Sequence, residues 1–290
     1  MLALRHTMLC IVGAAIVSAG CAHASATERA QALVRAHQDD EAMVFLKDWL
    51  RGHPGDVPAR RLLVRLLGLA GDLPEARVEV EDLKRWVPAG DPTPYIELGH
   101  ALELSHEFEE ALAAYDEASS VAPLSPDGPR EGGMRAARWG ELEQAGPRLE
   151  EAVRRGARDA EVWHALGLVR LNLGDYDGAE RAYHQGTLAE PKAPSNWLGL
   201  ATVAVARGDA EAALMAYEQV LARVPRFADA ELGRAWALAK LGHKDLARRA
   251  LDRAEELGAA RANLSRQRAA LDDSSPVGPP SGPERGSAPQ

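Results

Sequence analysis

One set of residue types returns every 34 residues through most of this chain, and that interval limits its fold more than any single motif does. Residues 160–193 hold Trp163, Leu166-Gly167, Gly174-Asp175-Tyr176, Ala179, Tyr183 and Pro191. Laid outward without gaps, the same frame covers 92–125, 126–159, 160–193, 194–227 and 228–261. Omitting Asp91 extends it backward over 57–90 and 23–56. The third unit repeats the pattern with Tyr95, Leu98-Gly99, Phe108, Ala111, Tyr115 and Pro123, and the sixth with Trp197, Gly208-Asp209, Ala213, Tyr217 and Pro225. A unit of this length cannot bury an apolar face alone, so neighbouring units must stack to share a core.

Local chemistry splits each unit into two helices. Gly71, Gly174, Gly208 and Gly242 stand where the first helix must stop, because glycine tolerates the left-handed backbone that ends helices. Asp72, Asp175 and Asp209 follow directly and suit the cap of the next helix. Pro54, Pro88, Pro123, Pro191 and Pro225 fall between units, where a missing N–H costs little. Gly167 and Ala179 are expected where the two helices cross, with Trp163, Leu166, Tyr176 and Tyr183 beside the crossing. Unit four departs from this: Gly128, Pro129, Gly132 and Gly133 weaken its first helix, and Gly146-Pro147 predicts a kink or late start in its second. Residues 126–150 are therefore either a compliant joint or a drifted repeat clamped by its neighbours. In unit seven Glu231 and Arg234 take two packing places, and 23–56 is an atypical end unit with Ala26 in place of the early aromatic.

The run from Trp163 to Pro191 resembles the tetratricopeptide repeat (TPR), departing from its signature at Arg170, where the family usually carries Tyr and where packing is expected to suffer. The resemblance implies an all-α, right-handed superhelical solenoid of about seven helix-turn-helix repeats. Residues 262–272, with Leu264, Ala269 and Leu271, then suit a helix capping the last repeat, and 273–290, rich in Pro, Gly and Ser, are expected to be a disordered tail.

The N-terminus reads as an export signal. Arg5 and His6 precede an uncharged, mostly apolar stretch from Met8 to Gly20, which is too short to span a bilayer. Val17-Ser18-Ala19-Gly20-Cys21 resembles a bacterial lipoprotein box, with Ser18 where most members carry Leu, so residues 1–20 are expected to be cleaved and Cys21 to be lipidated. Ala22-His23-Ala24 and Ala24-Ser25-Ala26 fit an ordinary signal peptidase instead, which would release a soluble periplasmic protein. The expected location is the cell envelope, anchored to a membrane and facing the periplasm, the outer membrane being favoured. A net charge of -9 and a pI near 5.5 exclude nucleic-acid or anionic-bilayer binding through bulk charge. Cys10 and Cys21 supply neither a disulfide framework nor a zinc spacing.

No catalytic or metal constellation emerges. His106-Glu107 with Glu110 lacks a second His, His37 to Glu41 is a polar turn, and His164 and His184 read as groove-lining or solvated residues. The expectation is a protein with no enzymatic activity, cofactor, metal or small-molecule substrate, acting through a surface. In the family the first helices line a concave groove. Its facing places here hold Arg61 and Arg65, Ile96 and His100, Arg130 and Met134, then His164, Leu168 and Leu171, Leu198, Thr202 and Val205, and Leu232, Trp236 and Ala239, with Arg138 and Asn172 alongside. The groove is thus expected to be basic toward one end and apolar toward the other. An apolar channel suits a partner helix or hydrophobic peptide and the arginines a carboxylate, while the alternative for Leu168, Leu171, Leu198 and Leu232 is packing between first helices. The Lys and Asn pattern with which cytosolic TPR co-chaperones grip heat-shock protein C-termini is not present. Resemblance to exported TPR lipoproteins implies a scaffold for an envelope, secretion or pilus complex. The alternative is an accessory subunit of an envelope enzyme system, in exopolysaccharide export, cytochrome maturation or proteolysis.

Overall fold

The computed structural model describes residues 25–272; the expected signal segment, Cys21 and the tail from 273 lie outside the described residues. Fifteen helices make up the described chain. They are α1 Ala26–Arg35, α2 Asp39–Gly52, α3 Val57–Leu69, α4 Leu73–Leu83, α5 Thr93–Leu104, α6 Phe108–Val121, α7 Asp127–Trp139 and α8 Leu142–Arg154. They continue with α9 Ala160–Asn172, α10 Tyr176–Ala189, α11 Pro194–Arg207, α12 Ala210–Arg223, α13 Ala228–Lys240, α14 Lys244–Glu256 and α15 Arg261–Asp272. One pair falls in each 34-residue unit, and α15 follows the seventh. None of these helices is long and apolar enough to cross a membrane.

The chain divides into two compact units, with the boundary inside α3 after Leu63. In the first, Ser25 and Glu28 form a reciprocal capping box at the start of α1, and α1 packs on α2 through buried Ala30, Ala42 and Leu46. The Trp49 indole N–H donates to Asp56 Oδ2 at 2.8 Å, and the His53 ring stacks on Trp49 at 3.7 Å.

In the second unit each first helix packs on its own second helix and on the second helix before it. Tyr183 illustrates why small residues recur. Its ring lies between Gly167 of α9 and Gly199 of α11, where an added Cβ would come within 2.6 Å and 2.4 Å of ring carbons. Gly99 against Tyr115 and Gly233 against Tyr217 repeat this contact. Tyr176, expected beside the crossing, is instead exposed at the start of α10.

The turn between paired helices sits at one place, fifteenth in each unit. Gly71, Gly140, Gly174, Gly208 and Gly242 all have positive φ there, and units one and three carry His37 (φ 58°) and His106 (φ 63°) at the same place. Asp72, Asp175 and Asp209 then accept from the backbone N–H three residues on.

The glycines of unit four have a packing reason. A Cβ on Gly128 would lie 2.4 Å from Ser119 N, and one on Gly133 would lie 2.8 Å from Leu149 Cγ. α7 thus approaches α6 and α8 more closely than any side chain allows. Pro129 is the third residue of α7, where backbone N–H groups have no partner within the helix in any case. α8 begins at Leu142, ahead of Gly146-Pro147, so it does not start late. Arg170 also differs from expectation: it bridges Glu150 at 3.0 Å and the Gly178 carbonyl at 3.3 Å, linking α8, α9 and α10. Glu231 and Arg234 answer each other at 2.8 Å, although burial pushes the Glu231 carboxyl up.

Candidate functional site

First helices place their fifth, ninth and twelfth residues on one face, since three and four residues make about one turn. Along the second unit this face changes character. Toward its N-terminal end it is an ion-pair ladder. Arg65 of α3 grips Glu97 of α5 through two hydrogen bonds, 2.5 and 2.8 Å long, and the Glu97 side chain is fully buried. His100, three residues on, lies between Glu97 (3.5 Å) and Glu131 of α7 (3.4 Å). Arg135 meets Glu103 at 2.8 Å and Glu131 at 3.3 Å, and Arg130 meets Glu131 at 2.8 Å and Asp159 at 3.4 Å.

These contacts set the charge states. The hydrogen bond to Glu97 holds Arg65 above the ordinary arginine range. Burial works against a charged His100, but its bonds to Glu131 and Glu97 outweigh that and raise it. Glu131 is held low, first by His100 and then, against burial, by Arg135 and Arg130.

The basic groove end is therefore corrected. Arg65 and Arg130, expected to offer charge to a carboxylate, spend it on carboxylates of the chain itself. Glu97, Glu103 and Glu131 were missed from sequence. The signal was present: Glu97 and Glu131 hold the same place in consecutive units, one turn from the ninth-place residues. Arg61, half-buried, belongs to the part of α3 in the first unit.

From α7 onward the face turns apolar. Met134 packs on the core formed with α8 and α9, while Leu171, Leu198 and Val205 are partly buried against the next core. Leu168 is 40% exposed. Asn172 donates to the Leu168 carbonyl at 2.8 Å and Thr202 to the Leu198 carbonyl at 2.9 Å, so both polar side chains are tied to their own helix. His164 lies edge-tilted against Tyr183 at 5.7 Å, and burial lowers its pKa.

Leu232 and Trp236, expected in the same row, are each only 2% exposed. Their place in the helix is the predicted one, but α15 packs on α13 and α14. Leu264 and Leu271 of α15 join the cluster containing Leu232, and Ala270 packs against the cluster containing Trp236. The open row thus runs from Met134 to Val205 and stops short of α13.

Stacked helix pairs with one such face define the class of helical-repeat, protein-binding scaffolds. The chain carries tetratricopeptide repeats, and residues 131–196 and 198–263 match that family's model. A heat-shock protein cognate co-chaperone of Aspergillus fumigatus, sgt12, is 31% identical over 112 residues, which are 37% of this chain and 33% of the relative. The chain thus spans about a third of that relative's length. Among solved structures, the C-terminal part of a TPR repeat-containing protein of Cytophaga hutchinsonii superposes with a TM-score of 0.63 at 16% identity, covering 82% of this chain and 98% of that one. PilW, described as a widely conserved type IV pilus biogenesis factor, superposes at 0.52 with 15% identity, over 83% of this chain and 95% of its own. At these identities the likeness is one of fold.

Proposed function

We propose that this chain is a protein-binding scaffold of the bacterial cell envelope, anchored through a lipid on Cys21, that holds an apolar peptide or helix along the first-helix face. The observation that carries the reading is the half-open row Met134, Leu168, Leu171, Leu198 and Val205, beside an ion-pair ladder already satisfied within the chain. A surface of this kind rewards burial of apolar side chains at about 25 cal/mol per Å². It offers no unpaired arginine row to an acidic peptide. The envelope setting rests on the resemblance of residues 17–21 to a lipoprotein box, and a role in pilus or secretion assembly on the fold shared with PilW.

The test places a photoreactive residue at Leu168 in cells. The reading expects one envelope protein to be crosslinked, the crosslink to disappear with Leu198→Ser in a folded variant, and Cys21→Ser to move the chain from the membrane to the soluble fraction. Crosslinks unchanged by Leu198→Ser would refute the groove, and a cytoplasmic distribution of the unaltered chain would refute the envelope setting. Capture of an envelope enzyme would favour the accessory-subunit role.

A further inference from the structure

On the opposite side of α11 a trough lies open between the second helices α10 and α12. Between α6 and α8 the same interval is closed: Arg148 of α8 binds Asp116 of α6 through two bonds, 2.8 and 2.6 Å long. Two repeats further on, 68 residues along the chain, those two places hold His184 in α10 and Ala216 in α12. Alanine cannot reach across, and a cavity of about 450 Å³ remains, lined by both residues. Its floor is Leu200, Val203 and Ala204 of α11 with Ala212 and Ala216 of α12, and its wall is Met215, 63% exposed. At about 100° per residue, these α11 side chains lie roughly half a turn from Leu198, Thr202 and Val205, so the trough and the groove are separate faces.

We propose that this trough is a second docking surface, one that takes a bulky apolar side chain from a partner helix flanked by lysine or arginine. The volume falls in the range of about 300–1,000 Å³ typical of binding pockets, and the unbranched Met215 thioether can adapt to the side chain that enters. A helix laid between two second helices packs as a ridge in a groove. The flanking charge follows from the rim. Glu180, Asp209 and Glu218 supply three carboxylates against one guanidinium, that of Arg207. Arg207 already binds both Glu180 and Asp177, so an incoming cation meets surplus carboxylate and an incoming anion meets repulsion.

The methionines give the test its internal control, because Met215 stands in the trough and Met134 on the groove face. The full chain is labelled with 13C at its methionine methyl groups and titrated with an alanine-based helical peptide carrying one central Phe and a Lys four residues to either side. A second peptide has Glu in place of both Lys. The expected result is a saturable shift of the Met215 methyl that is about tenfold weaker with the Glu peptide, a charge dependence that any Met134 shift from the groove does not share. His184→Asp combined with Ala216→Arg, which installs the bridge found between α6 and α8, should abolish the shift while the helical circular dichroism is kept. Should that variant fail to fold, the exposed Glu218→Lys, which leaves two carboxylates against two cations on the rim, should remove the preference that the unaltered chain shows between the two peptides. No Met215 shift up to about 1 mM peptide, equal binding of both peptides, or a shift confined to Met134 overturns the proposal. Because Met134 reports separately, failure of the trough leaves the groove reading standing.

Discussion

Gly128→Ala sets two physical effects against each other with opposite signs. Gly128 is the second residue of α7, and alanine there gains at most about 1 kcal/mol in helix propensity. Against this, the new Cβ would sit 2.4 Å from Ser119 N, 2.8 Å from Ser119 Cα and 2.9 Å from Ala118 C. All three are backbone atoms of α6, so no rotamer change relieves the overlap and the two helices must separate. Overpacking of a tight site costs about 1–3 kcal/mol, and a backbone obstacle places this substitution at the upper end. The net expectation is a loss of about 1–2 kcal/mol. Gly52→Ala is the control: Gly52 ends α2, an added Cβ meets nothing within 4 Å, and the change should be neutral or stabilise by up to about 1 kcal/mol. The assay is urea unfolding followed by circular dichroism, paired with amide exchange, since a repeat array need not unfold in one step. If Gly128→Ala raises the midpoint as Gly52→Ala does, the close-approach argument is wrong. If exchange in 126–150 of the unaltered chain is faster than in both flanking repeats, that stretch is a joint after all.

His106→Gly should stabilise the chain by about 1 kcal/mol in the same unfolding assay, because His106 holds a left-handed backbone that costs a non-glycine residue about 1–2 kcal/mol. A destabilised variant would mean that the contact of His106 with Phe108 outweighs the backbone. The pH dependence should differ in sign between two histidines. His100, raised above 6.5, contributes stability in full below that value and loses it as pH rises through its folded pKa, so His100→Gln should cost more at about pH 5 than at about pH 8. His164, lowered by burial, contributes above 6.5 and loses that contribution as pH falls, so His164→Gln should narrow the acid-side loss. Leu264→Ser with Leu271→Ser should free α15 and expose Leu232 and Trp236, read as self-association in size-exclusion chromatography with light scattering. A variant that stays monomeric with its tryptophan emission unchanged would show that α15 does not cover them.

The helix pairs were legible because the 34-residue register carries its own punctuation. The fifteenth place holds a left-handed residue in every unit and the next place a capping aspartate in three of them, and glycine and aspartate are residue types a sequence displays. His37 and His106 stand at that same place, but histidine does not announce a positive φ as glycine does, so their left-handed backbone was not read from the sequence. Burial on the first-helix face was less legible. Leu168 and Trp236 share the ninth place, yet one is 40% exposed and the other 2%. What separates them is the helix that follows: α11 leaves Leu168 open, whereas α15 arrives at the end of the stack and closes over α13. A period describes what a residue does within its own unit, not what the neighbouring unit lays over it. Arg65 failed for the related reason that its carboxylate comes from the next unit, Glu97 being 32 residues away, whereas Arg130 is answered from within its own unit by Glu131 and Asp159.

The two halves of the first-helix face differ in what binding would cost, and that difference gives the surface a direction. A partner carboxylate seeking Arg65 competes with Glu97, whose side chain has no exposure to water and would keep His100 but lose both bonds to the guanidinium; breaking a fully buried pair costs about 3–5 kcal/mol, and the half-exposed Arg65 places this one below that range. Nothing comparable opposes an apolar segment over α9 and α11, where Leu168, Leu171, Leu198 and Val205 lose only water, and where Asn172 and Thr202 are already satisfied by their own helix. A bound segment therefore begins where the ladder ends, near Met134, and can extend only as far as α15 allows. Three first helices, α7, α9 and α11, supply that length, enough for a short apolar segment and too little for a long one. Releasing α15 would lengthen the site by the places of Leu232 and Trp236. The Leu264→Ser, Leu271→Ser variant should then crosslink from Trp236 as well as from Leu168 if self-association does not cover the new surface first.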